Sequence, residues 1–81
     1  DRIDNEILGL IGKRRDFITA IIQYKNNQEE VYAPERYNAV IAERRRIAET
    51  YKLNPDIIEK IYRLLMDYFI AEQLTLLHNK K

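Results

Sequence analysis

The chain has 81 residues, 14 of them basic and 13 acidic, a formal charge of +1 and no cysteine. That balance excludes the overall basicity of a nucleic-acid binder, the missing cysteines exclude disulfides and thiolate metal sites, and the short apolar runs exclude a membrane span. Residues 1–81 read as one small domain, whose core alone supplies only about 3–5 kcal/mol, so self-association is expected.

The first helical run extends from Asp1 to Lys25. At about 100° per residue, Ile3, Ile7, Leu10, Ile11, Phe17, Ile18 and Ile21 fall on one arc, and Arg14 and Lys25 fall inside it. A cation turned toward a core is costly unless a partner meets it, and an anionic ligand is one such partner. The two cations stand eleven residues apart, about 16 Å along a helix, a spacing that suits the two ends of a small dianion or two separate sites in an oligomer. The run would be roughly 37 Å long, which favours packing against a second chain. It begins already in phase at Asp1, and further residues of this helix are expected upstream.

Asn26 to Ala33 reads as a polar connecting loop. Pro34 then opens a second helix at its first position, where its missing N–H costs nothing. Ala39, Val40, Ile47, Ala48 and Tyr51 give this helix an apolar side, with Arg36 on its edge and Arg44 inside it. Arg44 is expected to snorkel. Arg44-Arg45-Arg46 is the one basic run, and such a run on a helix is ordinarily a solvated face.

Asn54 and Pro55 are the N-cap and first position of the last helix. Its stripe runs through Ile57, Ile58, Ile61, Leu64, Leu65, Tyr68 and Phe69, until Glu72 and Gln73 interrupt it. Met66, Ile70, Leu74 and Leu77 form a second arc, and a helix apolar on two faces lies between neighbours.

The absence of serine and cysteine, with His78 as the single histidine, excludes Ser-His-Asp and Cys-His catalysis. No metal or cofactor is expected, His78 reads as surface, and a cytoplasmic protein is the default. An enzyme with these residues works by positioning and electrostatics. Gln73 can donate to a neutral ether or carbonyl oxygen while its own carbonyl is held; equally, it can form an interhelical hydrogen bond. The bland reading of Arg14 and Lys25 is a buried salt-bridge network with Glu72.

Four stretches carry a resemblance: Asp1-Arg2-Ile3-Asp4, Arg14 with Lys25, Ala33-Pro34-Glu35-Arg36, and Ile70-Ala71-Glu72-Gln73. In this order and spacing they resemble the all-helical chorismate mutases (type II fold), and more closely the isochorismate pyruvate lyases of salicylate and siderophore synthesis. The resemblance implies an intertwined homodimer of three-helix protomers with a long first helix. It implies that Arg14 and Arg36 bind the carboxylates of a dianionic substrate while Lys25 and Gln73 donate to its ether oxygen and enolpyruvyl side. The implied chemistry is pericyclic, with a loop at Asn26 to Ala33 ordering over the ligand.

Where the mutase pattern has two acidic residues, this chain has Ala33 and Tyr37, which favours lyase over mutase. The family's further arginine, upstream in the first helix and donated to the partner's site, has no match, since Arg2 lies on the outer face. The expectation is a lyase converting isochorismate to salicylate and pyruvate, with weak mutase activity. Its rivals are a chorismate mutase proper and a non-catalytic helical dimerisation module.

Overall fold

A computed structural model of the chain describes residues 1–79. Four helices follow one another: α1 (Arg2–Ile21), α2 (Gln28–Tyr32), α3 (Pro34–Thr50) and α4 (Pro55–Asn79), with a 3-10 turn at Ile22–Tyr24 after α1. No strand occurs among the described residues. The fold is all-α, with the three long helices that periodicity predicts and one short helix in the first connection.

Local chemistry sets most boundaries. The Asp1 carboxylate caps α1 by accepting from the Ile3 amide at 2.8 Å. The Asn54 side chain accepts from the amides of Asp56 and Ile57, and Pro55 occupies the first position of α4, as expected. At the end of α3 the Lys52 amide donates to the Glu49 carbonyl and the Leu53 amide to the Ala48 carbonyl. This is a Schellman motif, with Lys52 at φ 61° in the left-handed position that glycine usually fills.

Two boundaries depart from the sequence reading. α1 ends at Ile21, and Lys25 is extended at φ −98° and ψ 138°, so it lies beyond the helix. The cause is Ile22, which packs with Val31 and Leu77 in a small core and draws the chain across α4. The expected loop is a folded segment: Asn27 Oδ1 accepts from the Glu30 amide, the Glu30 carboxylate accepts from the Asn26 amide, and Val31 is buried. This reciprocal capping is a helix-start signature. The connection is docked through the buried Val31, which packs with Ile22 and Leu77.

α3 packs along α4. The buried side of α3 carries Ile41 and Ala48, whereas Ala39 and Tyr51, read as apolar side from the sequence, are exposed. Two arginines on the true stripe disguise it. Arg44 sets its guanidinium 5.4 Å from the centre of the Tyr62 ring, and Arg45 reaches Asp56 and Glu59 on α4 at 2.8 and 2.9 Å. With Arg46 paired to Glu43, each member of the basic run has an internal contact. His78 is exposed, as expected.

On α4, Phe69, Gln73 and Leu77 are buried, but Ile57, Ile61, Leu64 and Tyr68 form an exposed apolar row. α1 buries no residue at all, and Phe17 on its stripe is 66 % exposed. The Cα radius of gyration is 14.1 Å, against about 12 Å for a compact chain of this length. The chain is a flat body of 44 × 30 × 16 Å that leaves two apolar stripes open.

The two ends of the α3–α4 turn should respond oppositely to mutation. Lys52→Gly should stabilise the chain by about 1 kcal/mol by relieving a left-handed side chain, and Asn54→Ala should cost about 1 kcal/mol through a lost cap. Urea unfolding midpoints measure both.

Candidate functional site

Four polar side chains converge on one cavity of about 200 Å³ between α1, the first connection, α3 and α4: Arg14, Lys25, Arg36 and Gln73. Each arrives from a different segment. Arg14 comes from the stripe of α1, Lys25 from the extended residue after the 3-10 turn, Arg36 from the first turn of α3, and Gln73 from the buried face of α4. Arg14 and Lys25 therefore do share a cavity, though not as two positions on one helix. Phe17, Ile18 and Ile21, which the sequence presents as core, form apolar wall.

Lys25 Nζ donates to Gln73 Oε1 at 2.9 Å, across 48 positions of sequence. An ammonium has only donors, so it fixes the amide with its oxygen toward Lys25 and leaves the NH₂ end to donate to a ligand. Gln73 is only 5 % exposed, which holds this orientation firmly. Its interhelical hydrogen bond and its availability as a donor are thus two ends of the same group.

The other expected partner lies elsewhere. Glu72 accepts from Arg15 Nε at 2.7 Å, so the anticipated network of Arg14 and Lys25 with Glu72 does not form. Among the described residues, Arg2, Arg15, Arg45, Arg46 and Arg63 each meet a carboxylate, whereas the guanidiniums of Arg14 and Arg36 meet none. Arg14 is solvent-exposed in the protomer, since the stripe it interrupts is itself uncovered. Arg36 is exposed too.

Three cations and one carboxylate, Glu30, line the cavity. The formal excess of two positive charges matches a dianion. Burial, and then the nearby Arg36 charge, push the Lys25 ammonium below the usual lysine range, with Glu30 opposing the shift. An entering anion reverses it, because a negative neighbour favours the charged form.

Sequence reasoning missed Glu30 and the part taken by Tyr37. The Asn27-x-x-Glu30 spacing just before Val31 was the available signal for a capped helix start. Tyr37 and Ala33, the positions acidic in the mutase pattern, both line the cavity, and the Tyr37 hydroxyl donates to Asp67 Oδ1 at 2.9 Å.

An all-helical scaffold that gathers Arg14, Lys25, Arg36 and Gln73 around one cavity defines a small helical protein with a cation-rich pocket. Over residues 1–74 the chain matches chorismate mutase type II, and it belongs to that family. It is 35% identical over 74 residues to the isochorismate pyruvate lyase of Pseudomonas aeruginosa, spanning 91% of this chain and 73% of that protein. It is also similar to the T-proteins of Enterobacter agglomerans and Haemophilus influenzae, each 33% identical over 67 residues, spanning 82% of this chain but 18% of theirs.

The depressed lysine has a thermodynamic consequence. The folded chain holds the Lys25 proton less tightly than the unfolded chain, so stability should rise with pH between the depressed value and the ordinary lysine value. Lys25→Met should remove that rise, and urea unfolding of both proteins across the alkaline range measures it.

Proposed function

We propose that the chain is an isochorismate pyruvate lyase, releasing pyruvate from isochorismate to leave salicylate, with weak chorismate mutase activity. The observation that carries this reading is the pair of unpaired guanidiniums, Arg14 and Arg36, flanking the Lys25–Gln73 hydrogen bond in one cavity. The carboxylates of the substrate lie against Arg14 and Arg36. The Lys25 ammonium and the Gln73 NH₂ donate to the ether oxygen and the enolpyruvyl side.

The reaction is pericyclic. A ring hydrogen passes to the methylene carbon of the enolpyruvyl group while the ether C–O bond breaks, giving the methyl group of pyruvate and an aromatic ring. No nucleophile or base takes part. The protein holds the folded-back conformer and stabilises negative charge growing on the ether oxygen, where Lys25 is the main contributor.

Two observations favour lyase over mutase. The identity to the Pseudomonas lyase extends over most of both chains. Ala33 and Tyr37 leave the α2–α3 junction without the two carboxylates of the mutase pattern. Against a silent dimerisation module stands the absence, among the described residues, of the internal salt bridges it calls for: Glu72 is spent on Arg15, and Arg14 and Arg36 meet no carboxylate.

The working unit is a homodimer. The exposed row of Ile3, Ile7, Leu10 and Phe17 on α1 and that of Ile57, Ile61, Leu64 and Tyr68 on α4 support it. Both repeat at spacings of three and four, or their sum, as a helix-packing seam requires. Covering these rows shields the Arg14 side of the cavity.

Salicylate fluorescence from isochorismate should appear faster than prephenate from chorismate; prephenate alone would overturn the lyase reading. Lys25→Ala and Gln73→Ala should each lower kcat/KM by about 100-fold or more with melting temperatures nearly unchanged. Activity should fall as pH rises through the depressed Lys25 value. It should fall earlier in kcat/KM than in kcat, because the bound dianion raises that value. Sedimentation should report a dimer, and Leu10→Glu a monomer.

A further inference from the structure

The first turn of α3 carries Arg36 yet has no local anchor. No side chain caps it, and the residue before it, Ala33, sits in the left-handed region at φ 36° and ψ 64°. What ties this turn to the scaffold is the next residue. Tyr37 is half-buried, and its hydroxyl donates to Asp67 Oδ1 on α4 at 2.9 Å. Arg63 lies 5.6 Å from the centre of the Tyr37 ring and is itself held by Glu59 at 2.8 Å.

The tyrosine is also a partition. It lines the cavity that holds Arg36 and, on its other side, a second hollow of about 360 Å³ that includes Asn38, Asp67 and Ala71. With Tyr37 lining both hollows, its hydroxyl bond to Asp67 is a polar tie between this turn and α4. At the opposite end of α3, Arg45 already grips Asp56 and Glu59, so the two helices are pinned far from the site independently of Tyr37.

We propose that Tyr37 is a positioning residue: its hydroxyl bond to Asp67 fixes the first turn of α3 against α4 and so sets Arg36 relative to Lys25 and Gln73. This rests on the reading that Arg36 receives a substrate carboxylate. Burial and the Asp67 hydrogen bond both push the phenol up, so it remains a donor throughout the neutral range. Tyr37 itself holds the guanidinium still and carries no reacting proton.

The test uses the full chain with Tyr37→Phe, Asp67→Ala, Asp67→Asn and Arg36→Gln. Tyr37→Phe and Asp67→Ala should each raise KM for isochorismate about tenfold while kcat stays within about threefold, the pattern of lost binding rather than lost chemistry. Asp67→Asn, which keeps an acceptor, should restore most of the loss. In an Arg36→Gln background, Tyr37→Phe should change KM no further. An unchanged KM in Tyr37→Phe, or a full tenfold effect persisting without Arg36, overturns the proposal.

A second readout needs no turnover. Because the Arg36 charge depresses Lys25, releasing the turn should let the Lys25 ammonium titrate higher, as followed by ¹⁵N NMR. Tyr37→Phe and Arg36→Gln should both raise it, and the double variant no more than Arg36→Gln alone. If the wild-type chain fails to turn over isochorismate, the functional reading falls, and the lysine titration still decides whether Tyr37 sets Arg36. A Lys25 titration unmoved by Tyr37→Phe overturns the proposal by itself.

Discussion

The 2.9 Å hydrogen bond from Lys25 to Gln73 is the contact around which the cavity is arranged. A carboxylate in that place would hold the ammonium more strongly but would cancel its charge. An amide carbonyl holds it and leaves the field intact. Glu72, next in sequence to Gln73, turns to Arg15 on α1, so its negative charge is kept with a cation outside the cavity lining. One step along the α4 register thus separates the residue that meets α1 from the residue that lines the cavity.

The scaffold serves this contact with few buried residues. Ile22, Val31 and Leu77 form a compact cluster that bends the chain after α1 and brings Lys25 over α4. The long α3–α4 pairing supplies the rigid wall, with charged heads satisfied at its edges by Tyr62, Asp56 and Glu59. α1 contributes Arg14 and a stripe that its own protomer leaves open. Hydrophobic burial in the single chain is accordingly modest.

Much of the fold was legible in the sequence because its signals are local. Pro34, Asn54 and Pro55 mark helix starts through their own backbone and capping chemistry. The end of α1 was not legible, since Ile21 and Ile22 continue the apolar arc and only burial of Ile22 against distant Val31 and Leu77 breaks the helix. The buried side of α3 was hidden for a related reason: Arg44 and Arg45 occupy stripe positions, and what makes them tolerable lies on α4. Within the candidate site, cations on an apolar arc flagged Arg14 and Lys25, while their separation from Glu72 depended on which of two adjacent residues faces α1. The bond from Tyr37 to Asp67 had no sequence signal, because the two residues are thirty positions apart.

The imbalance of charge inside the cavity also bears on how fast a ligand arrives. The cavity lining carries an excess of two positive charges, whereas the whole chain carries a formal +1. The rest of the chain therefore carries a formal charge of −1, so the net positive excess lies at the cavity. Such a distribution focuses the field at one opening, and capture should slow steeply as ions screen it over a Debye length of about 8–10 Å at 0.1–0.15 M salt.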